Sequence, residues 1–470
     1  MPFPLFALPH DLMLAILQQP SIGARELCRL ERCSKTVAKC IDEGVWREAF
    51  LSCRRCNALA EPDSWKQEFA RRLTWSRDWR QLTSGHVPLL QPRLVLCGHT
   101  SAPQKLRRFA LKMMSSTQLM LPSRVETHIV DSKSSAPGHF RTIGAAVIFS
   151  KPYDVILVRP GRYEERLKLE KPVEITAVGP PGSTKLVGFE GPTIEACGRI
   201  VARVSNLQIE QRSRGASTAM SGAVLVKAGA TLVLEECAVS SETGHCVIVQ
   251  GMDSCGYILH NVISGGKGVG VLMCDFGRGL IEDNEICFNG RAGVAILSGA
   301  DPQVCRNKIH SGGDSGVLIS EKGRGRIEEN DIFGNRRAGV AILKEGAPLV
   351  KRNKIHDGRD SGVLVCENGL GSVCDNEIFA NQMAGVAIGR GGASRVTGNT
   401  ISDGNGGSLC LSIHSKGHIW DNLIHQDPGS AMQVPEALLC DVQQKNFIRF
   451  CASKALVHES VSLCDSMDID

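Results

Sequence analysis

From Tyr257 to Val434 the apolar and polar positions follow one pattern that returns every 23 residues without slipping. An aliphatic residue (Ile258, Ile281, Val304, Ile327, Val350, Val373, Val396, Ile419) is followed three positions later by an asparagine: Asn261, Asn284, Asn307, Asn330, Asn353, Asn376, Asn399, Asn422. An isoleucine stands two residues after each asparagine. A glycine stands nine after it in the first six copies, and Ser408 and Ala431 replace that glycine in the last two. An alternating apolar pair such as Val340/Ile342 closes the unit. Such a unit holds short β-branched runs and leaves no room for a helix pair, which excludes ankyrin and tetratricopeptide arrays. It predicts a mainly β protein, a right-handed parallel β-helix with about three short strands per 23-residue coil. Equivalent residues then stack about 4.8 Å apart, and the isoleucines form buried columns worth on the order of 1.5 to 3 kcal/mol per side chain.

That stacking accounts for two further regularities. Asparagine tolerates the left-handed backbone of a tight corner and can bond to the coils on either side, so the eight asparagines read as an internal ladder rather than as ligand sites. Charges alternate in sign from coil to coil after the asparagine (Glu285, Lys308, Asp331, Lys354, Glu377), and before it (Asp283, Arg306, Glu329, Arg352, Asp375). Seven residues after it stand Arg291, Asp314, Arg337 and Asp360. In a stack, like charges would face one another and repel, whereas alternation gains up to about 1 kcal/mol per contact. His310 and His356 lie two coils apart, too far to share a metal ion, and Phe333 stands between them.

Before the strict repeat the pattern changes twice. Leu12, Ile16 and Leu17, then Leu27, Leu30, Val37 and Ile41, recur at helical spacing, with Pro9 at a helix start and Trp46 closing the unit. About forty residues cannot bury much core alone, so this unit is expected to dock on a neighbour or bind a partner. Another helical stretch runs from Ser64 to Arg72. Residues 82–125 read as a linker, and Phe140, Ile143 and Val147 read as a helix sealing the first coil. The less regular coils that follow turn Val204, Leu207, Ile209, Val224, Val226, Val247 and Val249 inward. After Val434, Leu438, Leu439, Phe447, Ile448, Phe450 and Leu456 are expected to cover the last coil.

Composition narrows the chemistry. A net charge of +5 on 470 residues is too mild to argue for nucleic acid or a membrane surface, and no apolar run is long enough to span a bilayer. The 19 cysteines lie mostly at strand-like positions and read as small buried thiols of a reducing compartment. Met1 to Leu17 lacks the basic start of a signal peptide, so a cytoplasmic site is expected, with nuclear residence left open. Cys53 and Cys56 form one lone CxxC without a second pair. No metal or cofactor is expected. The Gly-rich strings 265–268 and 322–325 fall at coil turns and lack phosphate-loop spacing. The carbohydrate-active β-helix enzymes need converging carboxylates, whereas Asp283, Glu329 and Asp375 are interleaved with Arg306 and Arg352.

Leu8-Pro9, Ile16-Leu17, Leu27, Leu30, Cys33, Val37 and Val45-Trp46 together resemble an F-box. Ser64 to Arg72 and the phrase from Tyr153 to Gly179 resemble the continuation of F-box proteins that carry parallel β-helix repeats, the F-box only ten and eleven types, and ten more closely. The resemblance implies a non-catalytic substrate-recognition subunit of a Skp-cullin-F-box ubiquitin ligase. Leu8, Pro9, Leu12, Ile16, Leu17, Leu27, Leu30 and Trp46 would contact the Skp adaptor, which brings the cullin and RING subunits, while the β-helix holds an unknown protein substrate. The implied division is an F-box over 1–50, a helical segment over 51–81, a linker over 82–125, the β-helix over 126–434 and a cap with an acidic tail over 435–470. The chain is shortened relative to those proteins and ends in neither a zinc finger nor a prenylation cysteine, so their substrates and membrane anchoring do not carry over. A β-helix scaffold without ligase function is the alternative, and a carbohydrate-active enzyme the more distant one.

Overall fold

The computed structural model describes residues 126–134, 136–213, 221–402, 404, 406–426 and 432–450. The eight adaptor-contact candidates, the helical segment over 51–81, Cys53 and Cys56, the linker and Leu456 lie outside the described residues. Within them the chain winds as a right-handed parallel β-helix whose three sheets hold 14, 13 and 11 strands, here called sheets 1, 2 and 3. One coil of the strict repeat runs through Arg326–Glu328 of sheet 1, Asp331–Phe333 of sheet 2 and Val340–Ile342 of sheet 3. Ile327, Ile332, Val340 and Ile342 point inward and are fully buried. Ile309, Ile332 and Ile355 are successive partners in sheet 2, so the 23-residue spacing in the sequence is the register of the sheet. Apolar side chains at period two on strands only three residues long leave no local structure stable by itself. Burial against the coils above and below supplies the stability. The seven inward residues expected in the earlier coils are all in the core.

The corner between sheets 1 and 2 corrects one expectation. The asparagines form the ladder, but the left-handed backbone falls on the residue before each: φ is 52° at Asp283, 55° at Arg306, 58° at Glu329 and 54° at Arg352. The division of labour is steric. The left-handed residue carries its side chain out to solvent, and the asparagine after it can aim inward at its neighbours. Asn307 N–H and Asn307 Nδ2 both donate to Asn330 Oδ1 at 3.0 Å, and Asn330 repeats this toward Asn353 at 2.9 Å. Each Nδ2 also donates back to the preceding coil, as Asn330 does to the Val304 carbonyl at 3.0 Å. The ladder starts on the N–H of Cys237 and ends on Asn446, where the spacing becomes 24.

A second ladder repeats every 46 residues at the turn after sheet 2. Asn289, Asn335 and Asn381 accept from the N–H groups of Gly266, Gly312 and Gly358 and donate to the carbonyls of Ile263, Ile309 and Ile355. The recurrent glycine nine residues after each corner asparagine is there for space. A Cβ on Gly339 would sit 2.4 Å from Ile355 Cγ2 and 2.7 Å from the Gly362 carbonyl.

The charge ladder is in register as expected, with Glu285, Lys308, Asp331, Lys354 and Glu377 side by side along sheet 2. Ion pairs close at Asp283–Arg306 (3.2 Å) and Asp314–Arg337 (3.9 Å), while Asp331 is taken by His356 at 2.9 Å. Exposed pairs of this kind contribute little each, so their effect is to set register rather than to hold the stack.

Both ends are capped. Helix α1 (Ile143–Phe149) packs Ile143, Ala146 and Val147 onto the first coil. Thr142 Oγ1 caps it by accepting from Ala145 N–H, and the Glu165 carboxylate accepts from the N–H groups of Ile143 and Gly144, both at 2.7 Å. At the other end Leu438, Val442 and Ile448 cover the core, but Phe447 and Phe450 do not. They are 71% and 75% exposed, on a strand (Phe447–Phe450) that extends sheet 2 in parallel with Leu423–Gln426. Ile448 pairs with Ile424 and turns inward, which sends Phe447 outward, whereas Phe450 shares the face of Ile448 but stays exposed at the strand's end.

Candidate recognition surface

Charged groups on the outer face of sheet 1 come closest to a catalytic arrangement. Arg203 bridges Glu174 (2.7 Å) and Glu235 (2.5 Å), and all three are buried. Burial opposes the charge on Arg203, but the two carboxylates outweigh it and keep the guanidinium firmly protonated. Glu282 and Asp283 are joined in the same way by Arg306. Burial raises the Glu282 carboxyl above the usual range, and Arg306 offsets part of that rise. In both places an arginine stands between the carboxylates, where a glycosidic oxygen or an attacking water would have to sit. Such groups are built to neutralise one another.

Two clusters have the residue types of a metal site. In one, Asp154 accepts from His128 Nε2 (2.8 Å) and from the N–H groups of Glu126 (2.9 Å) and Lys151 (2.8 Å), while the His128 ring packs edge-on against Phe140 and Phe149. The carboxylate is already saturated by the groups that seal the first coil. In the other, Glu285, Cys287 and His310 meet on sheet 2, but burial pushes the Cys287 thiol up to about 11, which keeps it protonated, and His310 is held by a ring stack.

That stack is the first surface feature the repeat builds. His310, Phe333, His356 and Phe379 lie one above another with interplanar angles of 8°, 10° and 2° and centroids 4.6, 5.3 and 4.8 Å apart, and exposed Phe288 meets His310 edge-on. Asp331 and Asp357 bind the two nitrogens of His356, and Lys354 reaches over Phe379. Phe333 stands between the two histidines, as their spacing implies, and both histidines are half-buried. The column itself was visible as a run of Cys, His, Phe, His, Phe at 23-residue spacing, though only face-to-face stacking makes it a continuous ridge.

The second feature lies where the repeat fails. After Gln433, helix α2 (Glu436–Lys445) takes the place of a sheet 1 strand and packs beside His418–Trp420. The mismatch between a helix and a strand edge opens a groove of about 480 Å³ between Trp420, His418, Asp421, Asp441, Lys445 and Phe447. Phe447 is 71% exposed, and Lys445 is paired to Asp441 at 2.6 Å. An aromatic lining beside acidic groups suits an apolar side chain with a basic neighbour.

The right-handed beta helix region family matches residues 245–401 and 349–466. F-box only protein 10 of Mus musculus is 38% identical over 186 residues, 37% of this chain, and the match spans 16% of that relative's length. Among solved structures, XylC in complex with xylose covers 69% of this chain with 86% of its own (11% identity, TM-score 0.49). The A-module of mannuronan C-5 epimerase AlgE4 from Azotobacter vinelandii covers 64% with 91% of its own (15% identity, TM-score 0.41). Pectate lyase Pel9A covers 64% with 78% (11%, 0.41). At these values the likenesses bear on neither activity nor substrate.

Proposed function

We propose that this chain is a substrate receptor of a Skp-cullin-F-box ubiquitin ligase, with residues 1–50 binding the Skp adaptor and the β-helix presenting the substrate. The observation that carries the reading is the 38% identity to F-box only protein 10, joined to the F-box-like pattern from Leu8 to Trp46. Carboxylates bridged by Arg203 and Arg306 support a solenoid that binds rather than catalyses. Substrate contact is assigned to the groove between Trp420 and Phe447, the irregular end of an otherwise self-satisfied stack. The test is reconstitution of the full chain with Skp adaptor, cullin and RING subunits, with proteins ubiquitinated in a cell extract read by mass spectrometry. A defined set of conjugates should depend on the chain and be lost with Phe447→Asp/Trp420→Ala while the complex still assembles. Depolymerisation or epimerisation of a uronic-acid polysaccharide by the purified chain would contradict the reading.

A further inference from the structure

Sheet 1 turns an apolar outer face to the outside over its middle coils. In strands Thr231–Glu235, Cys255–Leu259 and Arg278–Glu282 alternation sends Leu234, Ile258 and Ile281 into the solenoid and Val233, Tyr257, Leu259 and Leu280 outward. These outward residues are nevertheless only 3, 7, 3 and 2% exposed, and with Cys255 and Cys305 they form a cluster separate from the main core. In later coils the same outward positions hold Arg326, Glu328 and Lys351 and stay partly open to water. The buried trio Glu174–Arg203–Glu235 lies on the same face. A sheet face this dry has something packed on it.

None of the described elements is that cover. Helix α1 packs on the first strands and α2 on the last, and the connections between strands are too short to fold back across a sheet. The gap at 214–220 joins sheet 2 to sheet 3, at the corner opposite sheet 1. Two stretches of chain outside the described residues could reach the face, 1–125 and 451–470.

We propose that residues 1–125 dock on this outer face of sheet 1. Charge selects between the two stretches. The rim carries Glu174, Glu235, Glu236, Glu282 and Asp283 against Arg203, Arg278 and Arg306, so it is acidic on balance. Residues 1–125 hold 19 Lys and Arg against 10 Asp and Glu, whereas 451–470 hold one Lys against four acidic residues and would be repelled. Reach agrees. The N-terminal stretch enters sheet 1 directly at Thr127–Val130, four strand positions from Thr231–Glu235, about 19 Å at the strand spacing. About forty residues with the spacing of Leu12 to Ile41 cannot bury a core alone and would gain one by packing here. The docking would fix the N-terminal module relative to the solenoid, and it does not depend on the ligase reading.

The experiment uses the full-length native chain. It is alkylated with N-ethylmaleimide and, separately, joined with a carbodiimide, which links carboxylates to lysine amines in direct contact; both are read by mass spectrometry. Cys255 and Cys305 should resist alkylation while exposed Cys440 reacts, and carboxylates of the rim should link to lysines within 1–125, such as Lys66 or Lys105. Tyr257→Arg/Leu280→Arg, two outward changes, should raise labelling of Cys255 and Cys305 at least tenfold and abolish the links, with the thermal transition of the solenoid retained. Ready alkylation of Cys305 in the wild type, links leading to Lys454 or to a second copy, or wild-type protection in the folded double variant would each overturn the proposal. The wild-type arms decide it even where the variant fails to fold.

Discussion

Asn330 takes part through its side chain in four hydrogen bonds to the neighbouring coils, two accepted and two donated. Asn330→Ala leaves buried donors without partners, each costing about 1 to 3 kcal/mol, and should lower stability by roughly 3 kcal/mol or more in urea unfolding. Ile332→Asp, which puts a carboxylate into the 0%-exposed column, should abolish the folded solenoid. Lys354→Glu should cost at most about 1 kcal/mol, because its charge is screened at the surface. Asp154 sets a pH dependence. Burial acts to raise its carboxyl, but the bonds from His128, Glu126 N–H and Lys151 N–H prevail, so its pKa lies below the ordinary 3.8. A group depressed on folding stabilises fully above its unfolded pKa and loses that contribution as pH falls through the folded one. The stability gap between wild type and Asp154→Asn should therefore be constant near neutrality and shrink below about pH 4 in chemical melts. At this scale the sequence showed which residues are internal. It did not show that the left-handed backbone belongs to Glu329 rather than Asn330, since either residue type can occupy a corner and the choice is made by which side chain must point inward.

One coil is too small to be stable alone, and the spacing between coils decides which changes it tolerates. Gly339→Ala adds a Cβ 2.4 Å from Ile355 Cγ2, and the backbone carbonyl of Gly362 cannot move aside. A loss of about 1 to 3 kcal/mol is expected in thermal or urea melts. The strands, their register and their inward residues were legible because the period of 23 is itself the sheet register. The ends were less so. Phe447 and Phe450 read as capping residues by hydrophobicity, yet the register of Ile448 on Ile424 turns Phe447 out, and Phe450, at the strand's end, stays exposed as well. The groove beside Trp420 was foreseeable only as a place where regularity fails. Its shape depends on α2 replacing a strand, which no repeat pattern encodes. The 46-residue alternation of Asn289, Asn335 and Asn381 with Gly266, Gly312 and Gly358 was present in the sequence, and the stronger 23-residue signal masked it.

Over the whole molecule, the polar groups at the corners and turns of the repeat are largely spent on one another: asparagine with asparagine, arginine with carboxylate, imidazole with carboxylate and ring. Such a stack is stiff, which suits holding a bound protein at a fixed place, and the surfaces that depart from its pattern lie at the ends and on the outer face of sheet 1. The receptor reading joins this scaffold to the pattern between Leu8 and Trp46, and adaptor binding is where it stands or falls. The full-length chain should be co-expressed and co-purified with the Skp adaptor beside a Leu8→Ala/Pro9→Ala/Leu12→Ala variant. A stoichiometric complex with the wild type, reduced at least tenfold in the folded variant, is the predicted result; no adaptor recovered with the wild type, or equal recovery with both, would contradict it.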